Sequence, residues 1–215
     1  KGLGVTVYFG QRKGSASTTD FEPAAVKETV AAACAIAKYT AEDACSGLAD
    51  ADRMARDIPD LDLFFPWNID ADQAIVLARS CEDAARAVDK RITNSEGATV
   101  SSQQGARVYA NSHGFVGAYP TTRHSVSCCV IGQDGEVMQR DYWYSSARDS
   151  RDMQDATAIG TMAAQRTLRR LNGRRLTTRQ APVVFEADVA GSVLGSFVSA
   201  IRGGNLYRKS TFLLD

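Results

Sequence analysis

The chain has 215 residues, of which 44% are hydrophobic and 23% charged, as in an ordinary globular protein. Its 25 basic residues balance 25 acidic ones, so no overall field draws it towards nucleic acid or an anionic membrane. No run approaches the roughly 18 apolar residues of a membrane span. We therefore expect neither nucleic acid nor a membrane as a partner.

The first 39 residues predict two short strands followed by a helix. Val5, Val7 and Phe9 alternate with other residues, and the polar run that begins at Gly14 predicts a turn before the second strand. Asp20 is the predicted N-cap of the helix, with Pro23 in the first turn. One stripe of mostly small residues predicts close packing against a sheet: Val26, Val30, Ala33, Cys34 and Ala37.

Residues 40–67 predict a connector, because acidic and apolar residues follow one another there without a period and two prolines interrupt them. Asp70 and Gln73 have the spacing of a capping box, which predicts the start of a second helix. We expect the packed face of this helix to contain Ala74, Ala78, Cys81, Ala85 and Val88.

Residues 91–145 predict an antiparallel meander of four or five strands. Runs of β-branched and aromatic residues lie between three turn signals, at 94–97, 111–114 and 133–135. Because helices flank this separate run of strands, we expect an α+β fold with antiparallel sheets and packed helices.

The last third of the chain predicts two helices with a strand between them. The third helix is expected over about 150–171, ended by Asn172 and Gly173. Pro182–Phe185 predicts a short strand. The fourth helix is expected over about 188–201, before two glycines end it.

The five cysteines are odd in number and have no C-x-x-C spacing: Cys34, Cys45, Cys81, Cys128 and Cys129. We interpret them as small hydrophobic residues of a reducing compartment, which predicts a cytoplasmic protein. Cys128 and Cys129 are neighbours in a predicted strand and should therefore point to opposite faces.

Histidine is scarce, since the chain contains 2. His113 lies in a predicted turn, and His124 lies beside a predicted strand, where it could donate to a carbonyl or line a partner surface. A zinc site needs three or four ligands at defined spacing, and no H-E-x-x-H pattern or metal-spaced cysteine accompanies these histidines. Nucleophile elbows and phosphate-binding glycine loops are also missing. We therefore assign no catalytic and no metal-binding residue within the chain.

A cluster of arginines surrounds the end of the third predicted helix: Arg166, Arg169, Arg170, Arg174, Arg175 and Arg179. Cations stabilise a helix C-terminus, so the first interpretation is a solvated helix end. The alternative is a surface that binds phosphate or a partner. No aromatic residues are interleaved with these arginines, which disfavours a stacking platform for single-stranded nucleic acid.

Five segments of the chain resemble the TldD/PmbA family of bacterial proteins, and more closely its PmbA/TldE branch. In chain order they are residues 12–17, 91–97, 122–125, 139–142 and 206–215. The resemblance extends over the whole chain. It implies that residues 1–39 end a first family domain, 68–178 form the middle domain and 179–215 begin a third. Because family members are longer, we expect this chain to be a piece of a longer polypeptide.

The resemblance also implies a function. The family is that of an intracellular metallopeptidase, a TldD–TldE heterodimer that processes or degrades unfolded peptides such as microcin precursors and antitoxins. TldD holds zinc with an H-E-x-x-x-H motif on a helix that follows a strand similar to residues 181–184. The matching helix positions here are Gly195, Ser196 and Ala200, none of which can ligate zinc or act as a general base. The resemblance therefore implies a non-catalytic subunit, with the zinc in its TldD partner.

The expected partners are a TldD-like subunit, or a second copy of this chain in its absence, and a peptide substrate. Candidate partner- or substrate-binding residues are Arg123, His124, Tyr207 and Arg208. Two alternatives stay open. In the first, the protein is a regulatory partner that modulates DNA gyrase without proteolysis. In the second, it is a self-sufficient peptidase whose metal ligands lie beyond residue 215.

Overall fold

The computed structural model describes residues 1–214. The chain divides into two compact units, Lys1–Leu171 and the residues from Asn172 onward. No helix among residues 1–214 combines the length and the apolar character needed to cross a membrane.

The first unit opens with a hairpin of two antiparallel strands, β1 (Leu3–Phe9) and β2 (Arg12–Thr18). The chain turns at Gly10, whose φ of 59° is left-handed, and the polar run that begins at Gly14 lies inside β2. The predicted turn at this run is therefore wrong, because a glycine in the left-handed region at position 10 closes the hairpin earlier.

Helix α1 (Pro23–Tyr39) packs on this hairpin. A Cβ at Gly14 would lie 2.1 Å from the carbonyl oxygen of Ala33, so only glycine permits the approach. Ala33 and Ala37 are fully buried as predicted, but Val30 is 40% exposed. The predicted N-cap is also wrong, since the helix begins after Glu22 and Asp20 instead accepts a hydrogen bond from the Glu22 amide at 2.9 Å.

The predicted connector contains no α-helix or strand, only a 3-10 turn at Ala51–Arg53. Helix α2 (Ala71–Ala87) follows it and begins with the predicted capping box. The Gln73 amide donates to the Asp70 carboxylate at 2.8 Å, and the Asp70 amide donates to the Gln73 side chain at 3.2 Å. These reciprocal bonds satisfy two amides that a helix start leaves unpaired.

The meander has three strands rather than four or five: β3 (Ile92–Ala110), β4 (Val116–Asp134) and β5 (Val137–Ala147), antiparallel in that order. The second and third turn signals are turns between these strands. The first lies inside β3, where the register against β4 shifts at Ser95/Gly97 and Gly97 has a φ of 99°. A glycine with positive φ occurs in β-bulges as well as in turns. The bulge at Gly97 therefore has the sequence pattern of a turn, and a turn at this position would have divided β3 into two strands.

Helix α3 (Ala156–Leu171) begins later than predicted, after a 3-10 turn at Ser150–Asp152. Asp155 caps it, because its carboxylate accepts a hydrogen bond from the Thr157 amide at 2.8 Å. Helices α2 and α3 pack on one face of the three-stranded sheet and enclose the main core, which includes Cys81, Ala85, Val126, Cys128, Val130 and Ile159. The predicted α+β fold with antiparallel sheets is confirmed.

The second unit contains α4 (Ala187–Ala200) and the short α5 (Gly203–Tyr207). The predicted strand at Pro182–Phe185 is wrong. Residues 172–214 contain no other strand with which it could pair, and Val184 is 95% exposed. The glycine at 203 also begins α5 rather than simply ending the helix before it.

Candidate functional site

Strand β4 presents two chemically different faces. Its even-numbered residues from Thr122 to Gly132 are buried, whereas the odd-numbered residues between them are partly or fully exposed. Arg123 and His124, both candidate binding residues, are neighbours in this strand and therefore point to opposite faces. Arg123 is exposed and His124 is 1% exposed, so the structure does not bring them into one site.

His124 joins β4 to the connector. Its Nε2 lies 2.8 Å from the carbonyl oxygen of Phe65, and its Nδ1 lies 3.0 Å from the hydroxyl oxygen of Ser102. Because a carbonyl can only accept, Nε2 carries a proton, and the hydroxyl of Ser102 can serve Nδ1 either as donor or as acceptor. The indole of Trp67 packs edge-on, with ring centroids 5.5 Å apart. Both ring nitrogens are thus occupied, and His124 is a structural residue in this chain.

Thr122 strengthens the same attachment. Its hydroxyl accepts a hydrogen bond from the Phe65 amide at 2.9 Å and donates one to the carbonyl oxygen of Arg148 at 2.9 Å. The Thr122 amide donates to the carbonyl oxygen of Leu63, also at 2.9 Å. The end of the connector is therefore held beside β4 by buried polar groups that all have partners.

The other side of the three-stranded sheet is here named the open face. It consists of the odd-numbered residues 119–131 of β4, the odd-numbered residues 97–107 of β3 that pair with them, and the even-numbered residues 140–148 in and just after β5. No helix of residues 1–171 packs on it, because α2 and α3 both contact the buried side. Its centre is made of small hydroxyl side chains, including Ser101, Ser125 and Ser127.

A charged network lies at one end of the open face. Nη1 of Arg140 donates to the Glu96 carboxylate at 2.5 Å, and the thiol of Cys129 donates to the other oxygen of that carboxylate at 3.2 Å. The hydrogen bond from Arg140 lowers the pKa of Glu96. Burial, and then the bond to Glu96, raise the pKa of Cys129 to about 11. Cys129 is therefore a protonated thiol near neutral pH and not an activated nucleophile.

Cys128 faces the core, as predicted for the neighbour of Cys129 in a strand. It is 1% exposed and packs with Cys81 of α2 in the main core. The contact with Cys81 and burial both raise the pKa of Cys128. This thiol is a packing residue.

Two of the six clustered arginines hold α3 against β5. Arg166 Nε lies 3.7 Å and Arg170 Nη1 lies 3.4 Å from Oδ2 of Asp141, whose side chain is 10% exposed. The guanidinium of Arg166 also lies 5.1 Å from the ring centroid of Trp143, in a cation–π arrangement. The arginine cluster is therefore not one uniform solvated patch, since part of it has a structural role.

The three positions that the resemblance aligns with a zinc motif lie on α4. Gly195 and Ala200 have no donor atom, and the hydroxyl of Ser196 donates to the carbonyl oxygen of Ser192 at 3.0 Å. This set of side chains does not fit a zinc ion. Across the whole part of the chain that the structure describes, no three His, Cys, Asp or Glu side chains are grouped for metal binding. Tyr207 ends α5 and Arg208 follows as its C-cap.

The sequence did not predict the tyrosines and arginines that share the open face with Arg123. They are Arg107, Tyr119, Arg140, Tyr142, Tyr144 and Arg148. The one available signal is the alternation of serine with valine or cysteine over residues 125–128, which indicates a strand with one polar face.

Comparison with known families matches residues 65–171 to the PmbA/TldA metallopeptidase central domain and residues 1–37 to the PmbA/TldA metallopeptidase domain 1. Over 213 residues the chain is 51% identical to Metalloprotease PmbA of Escherichia coli O157:H7 and 48% identical to the Metalloprotease PmbA homolog of Haemophilus influenzae. Each match covers 99% of this chain and 47% of the relative. The chain spans about half the length of the curated relatives it matches.

Two solved structures show the same architecture. A crystal structure from Bacteroides thetaiotaomicron, described as a candidate modulator of DNA gyrase, has a TM-score of 0.88 and 27% identity, covering 100% of this chain and 49% of that one. TldE from Thermococcus kodakarensis has a TM-score of 0.55 over 74% of this chain and 35% of that one; at 21% identity this likeness is one of fold.

The α+β fold and the sequence matches together place this chain in the PmbA/TldD family of metallopeptidases. The resemblance in the sequence is thereby confirmed. The domain boundaries near residues 39, 67 and 178 stay predictions.

Proposed function

We propose that this chain belongs to a non-catalytic, TldE-type subunit of a heterodimeric zinc metallopeptidase. The proposal rests on the composition of α4, where the residues that the resemblance aligns with the zinc motif are Gly195, Ser196 and Ala200. Relatives whose sequences are 51% and 48% identical to this chain are named metalloproteases. Since α4 offers no ligand at these positions, the proposal assigns the zinc of the assembled enzyme to a TldD-like partner.

The subunit's remaining role is to hold the substrate. The sheet order β3-β4-β5 leaves the outer edges of β3 and β5 without a strand partner among residues 1–214. An extended peptide can add to such an edge through main-chain hydrogen bonds, which set its register and demand little of its sequence. This mode suits unfolded peptides of varied sequence, the substrate class that the family implies.

The subunit assignment is tested with the full-length protein, alone and mixed with a TldD-type protein. Alone, it should hold no stoichiometric zinc and cleave no unfolded peptide. The mixture should form a heterodimer that contains zinc and cleaves. As a matched control, a TldD-type partner with glutamine in place of the motif glutamate should still pair but not cleave. Tightly bound zinc and hydrolysis by this polypeptide alone would contradict the assignment.

Edge binding is tested with backbone-modified peptides. Two peptides of identical sequence are compared, one unmodified and one N-methylated at alternate residues on the side that faces the sheet. N-methylation removes the main-chain donors and leaves the side chains unchanged, so the modified peptide should lose affinity for the heterodimer. Binding at a sheet edge would be contradicted if both peptides bound equally well. It would also be contradicted if binding depended strongly on one side-chain sequence.

A second candidate function is modulation of DNA gyrase without proteolysis. It is favoured by the Bacteroides relative, which covers this whole chain and is described as a candidate modulator of DNA gyrase. Charge reversal at Arg169, Arg174 and Arg175 tests it, while Arg170 is kept because it pairs with Asp141. If gyrase is the target, these variants lose the effect on gyrase and keep TldD-dependent cleavage.

A further inference from the structure

The open face is basic, although the chain as a whole has a net charge of +0. Cross-strand pairing places Arg107, Arg123 and Arg140 on it. Arg148 follows β5 and reaches the same face, where it donates to the hydroxyl of Thr121 at 2.6 Å. The carboxylate that shares the face is Glu96, and Arg140 already neutralises it. Within residues 1–214 the other three arginines form no ion pair, so the face carries uncompensated positive charge and complements an anion.

Three tyrosines stand on the same face. Tyr119, Tyr142 and Tyr144 are 38%, 56% and 47% exposed. The rings of Tyr142 and Tyr144 lie 6.3 Å apart at an interplanar angle of 25°, so they stand side by side on one strand. Exposed aromatic rings interleaved with arginines are the two components of surfaces that bind unpaired bases and their phosphates.

The length of the face also suits an extended strand. At one end of the face, Tyr142 of β5 pairs with Cys129 of β4, and Tyr119 of β4 lies at the other end. At a rise of ~3.3 Å per residue, the distance along β4 from Tyr119 to Cys129 is about 33 Å. Between these ends the side chains are small hydroxyls such as Ser125 and Ser127, which permit close approach and offer hydrogen bonds. A groove at one end of the face has a mixed lining that includes Ser127, Tyr142, Arg140 and Arg170 together with the carboxylates of Glu96 and Asp141.

We propose that the open face binds single-stranded nucleic acid, with arginines on the phosphates and tyrosines stacked on the bases. This inference goes beyond the proposed peptidase function. An acidic peptide is less well matched, because the main-chain groups of the face are already paired within the sheet and a peptide would gain its backbone hydrogen bonds at an edge instead. A nucleic-acid strand needs no such bonds, only cations and flat rings.

The test is fluorescence anisotropy of the full chain with a labelled oligothymidylate of about 12 nucleotides, a length within the usual site sizes for single strands. Binding should weaken steeply between about 50 and about 200 mM salt. Arg123→Gln with Arg148→Gln should lower affinity about tenfold at low salt and reduce the salt slope by about 1.4, the value for two lost phosphate contacts. Arg53→Gln with Arg56→Gln, an exposed pair on the connector, is the matched control and should bind as the parent does.

Stacking is tested separately at Tyr144. Tyr144→Phe keeps an aromatic ring and should retain affinity, whereas Tyr144→Leu keeps apolar bulk but should lose about tenfold. Three results would overturn the proposal: no binding at low salt, unchanged binding by the arginine double variant, or equally tight binding of a glutamate-rich peptide of the same charge. The last result would identify the face as a protein-binding surface.

Discussion

A hydrogen bond of 2.8 Å joins the ring of His124 to the main-chain carbonyl of Phe65, a residue 59 positions earlier in the chain. This bond attaches the end of the connector to the middle strand of the sheet, and Ser102 occupies the other ring nitrogen at 3.0 Å. Histidines of metal enzymes often bind the metal or take part in catalysis. Both ring nitrogens of His124 instead have hydrogen-bond partners within the core, so its role here is structural.

The first prediction concerns His124. His124→Ala should lower the free energy of unfolding by about 2–3 kcal/mol, because it removes buried volume and leaves the Phe65 carbonyl without its donor. Urea denaturation measures the effect. His113→Ala is the control, since the side chain of His113 lies in an exposed turn, and should change stability by less than about 0.5 kcal/mol. Similar effects of the two substitutions would contradict the structural role.

The second prediction concerns the crossing of α2 and α3. A Cβ at Gly160 would lie 1.9 Å from the carbonyl oxygen of Cys81, which is main chain and cannot move aside alone. Gly160→Ala should therefore destabilise the first unit by about 1–3 kcal/mol or more. Gly105→Ala in β3 meets no atom within 4 Å and should be neutral or slightly stabilising in the same thermal unfolding experiment. A neutral Gly160→Ala would show that the helices are farther apart.

The third prediction concerns thiol reactivity. Cys129 should react slowly with iodoacetamide near pH 8, because its pKa of about 11 leaves only a small thiolate fraction. Exposed Cys45 should be labelled first, and the fully buried Cys81 and Cys128 only on unfolding. Glu96→Gln should speed labelling of Cys129, since the carboxylate raises that pKa. The order in which the cysteines are labelled is measured by mass spectrometry. Early labelling of Cys129 in the parent protein would contradict its hydrogen bond to Glu96.

The fourth prediction concerns acid stability at the turn between α2 and β3. Hydrogen bonds from the side chain and amide of Arg91 lower the pKa of Asp89 to about 2. Because the folded value lies below the unfolded value of about 3.9, the stabilisation is complete above that unfolded value and is lost as pH falls towards 2. The stability difference between the parent and Asp89→Asn should therefore be constant near neutral pH and shrink between about pH 4 and pH 2. A difference that stays constant or grows on acidification would contradict the interaction.

Helix starts and turns were predictable where their determinants are local. The capping box of Asp70 and Gln73 involves residues three apart, so the sequence contains both partners. Two of the wrong predictions depended on distant partners, whereas the misplaced N-cap at Asp20 was a local error. Pro182–Phe185 has strand-like composition but no neighbouring strand, and the glycine at 97 forms a bulge because β4 pairs alongside it.

The sequence by itself determined the family and the absence of zinc ligands at Gly195, Ser196 and Ala200, since both depend only on which residues stand at which positions. Only the tertiary structure decided which side chains share a surface. His124 turned out to be buried while Arg123 joined tyrosines and arginines from three strands. The reason is that side chains alternate along a strand, so a face is assembled by the register between strands, and register is a property of the pairing rather than of any one segment.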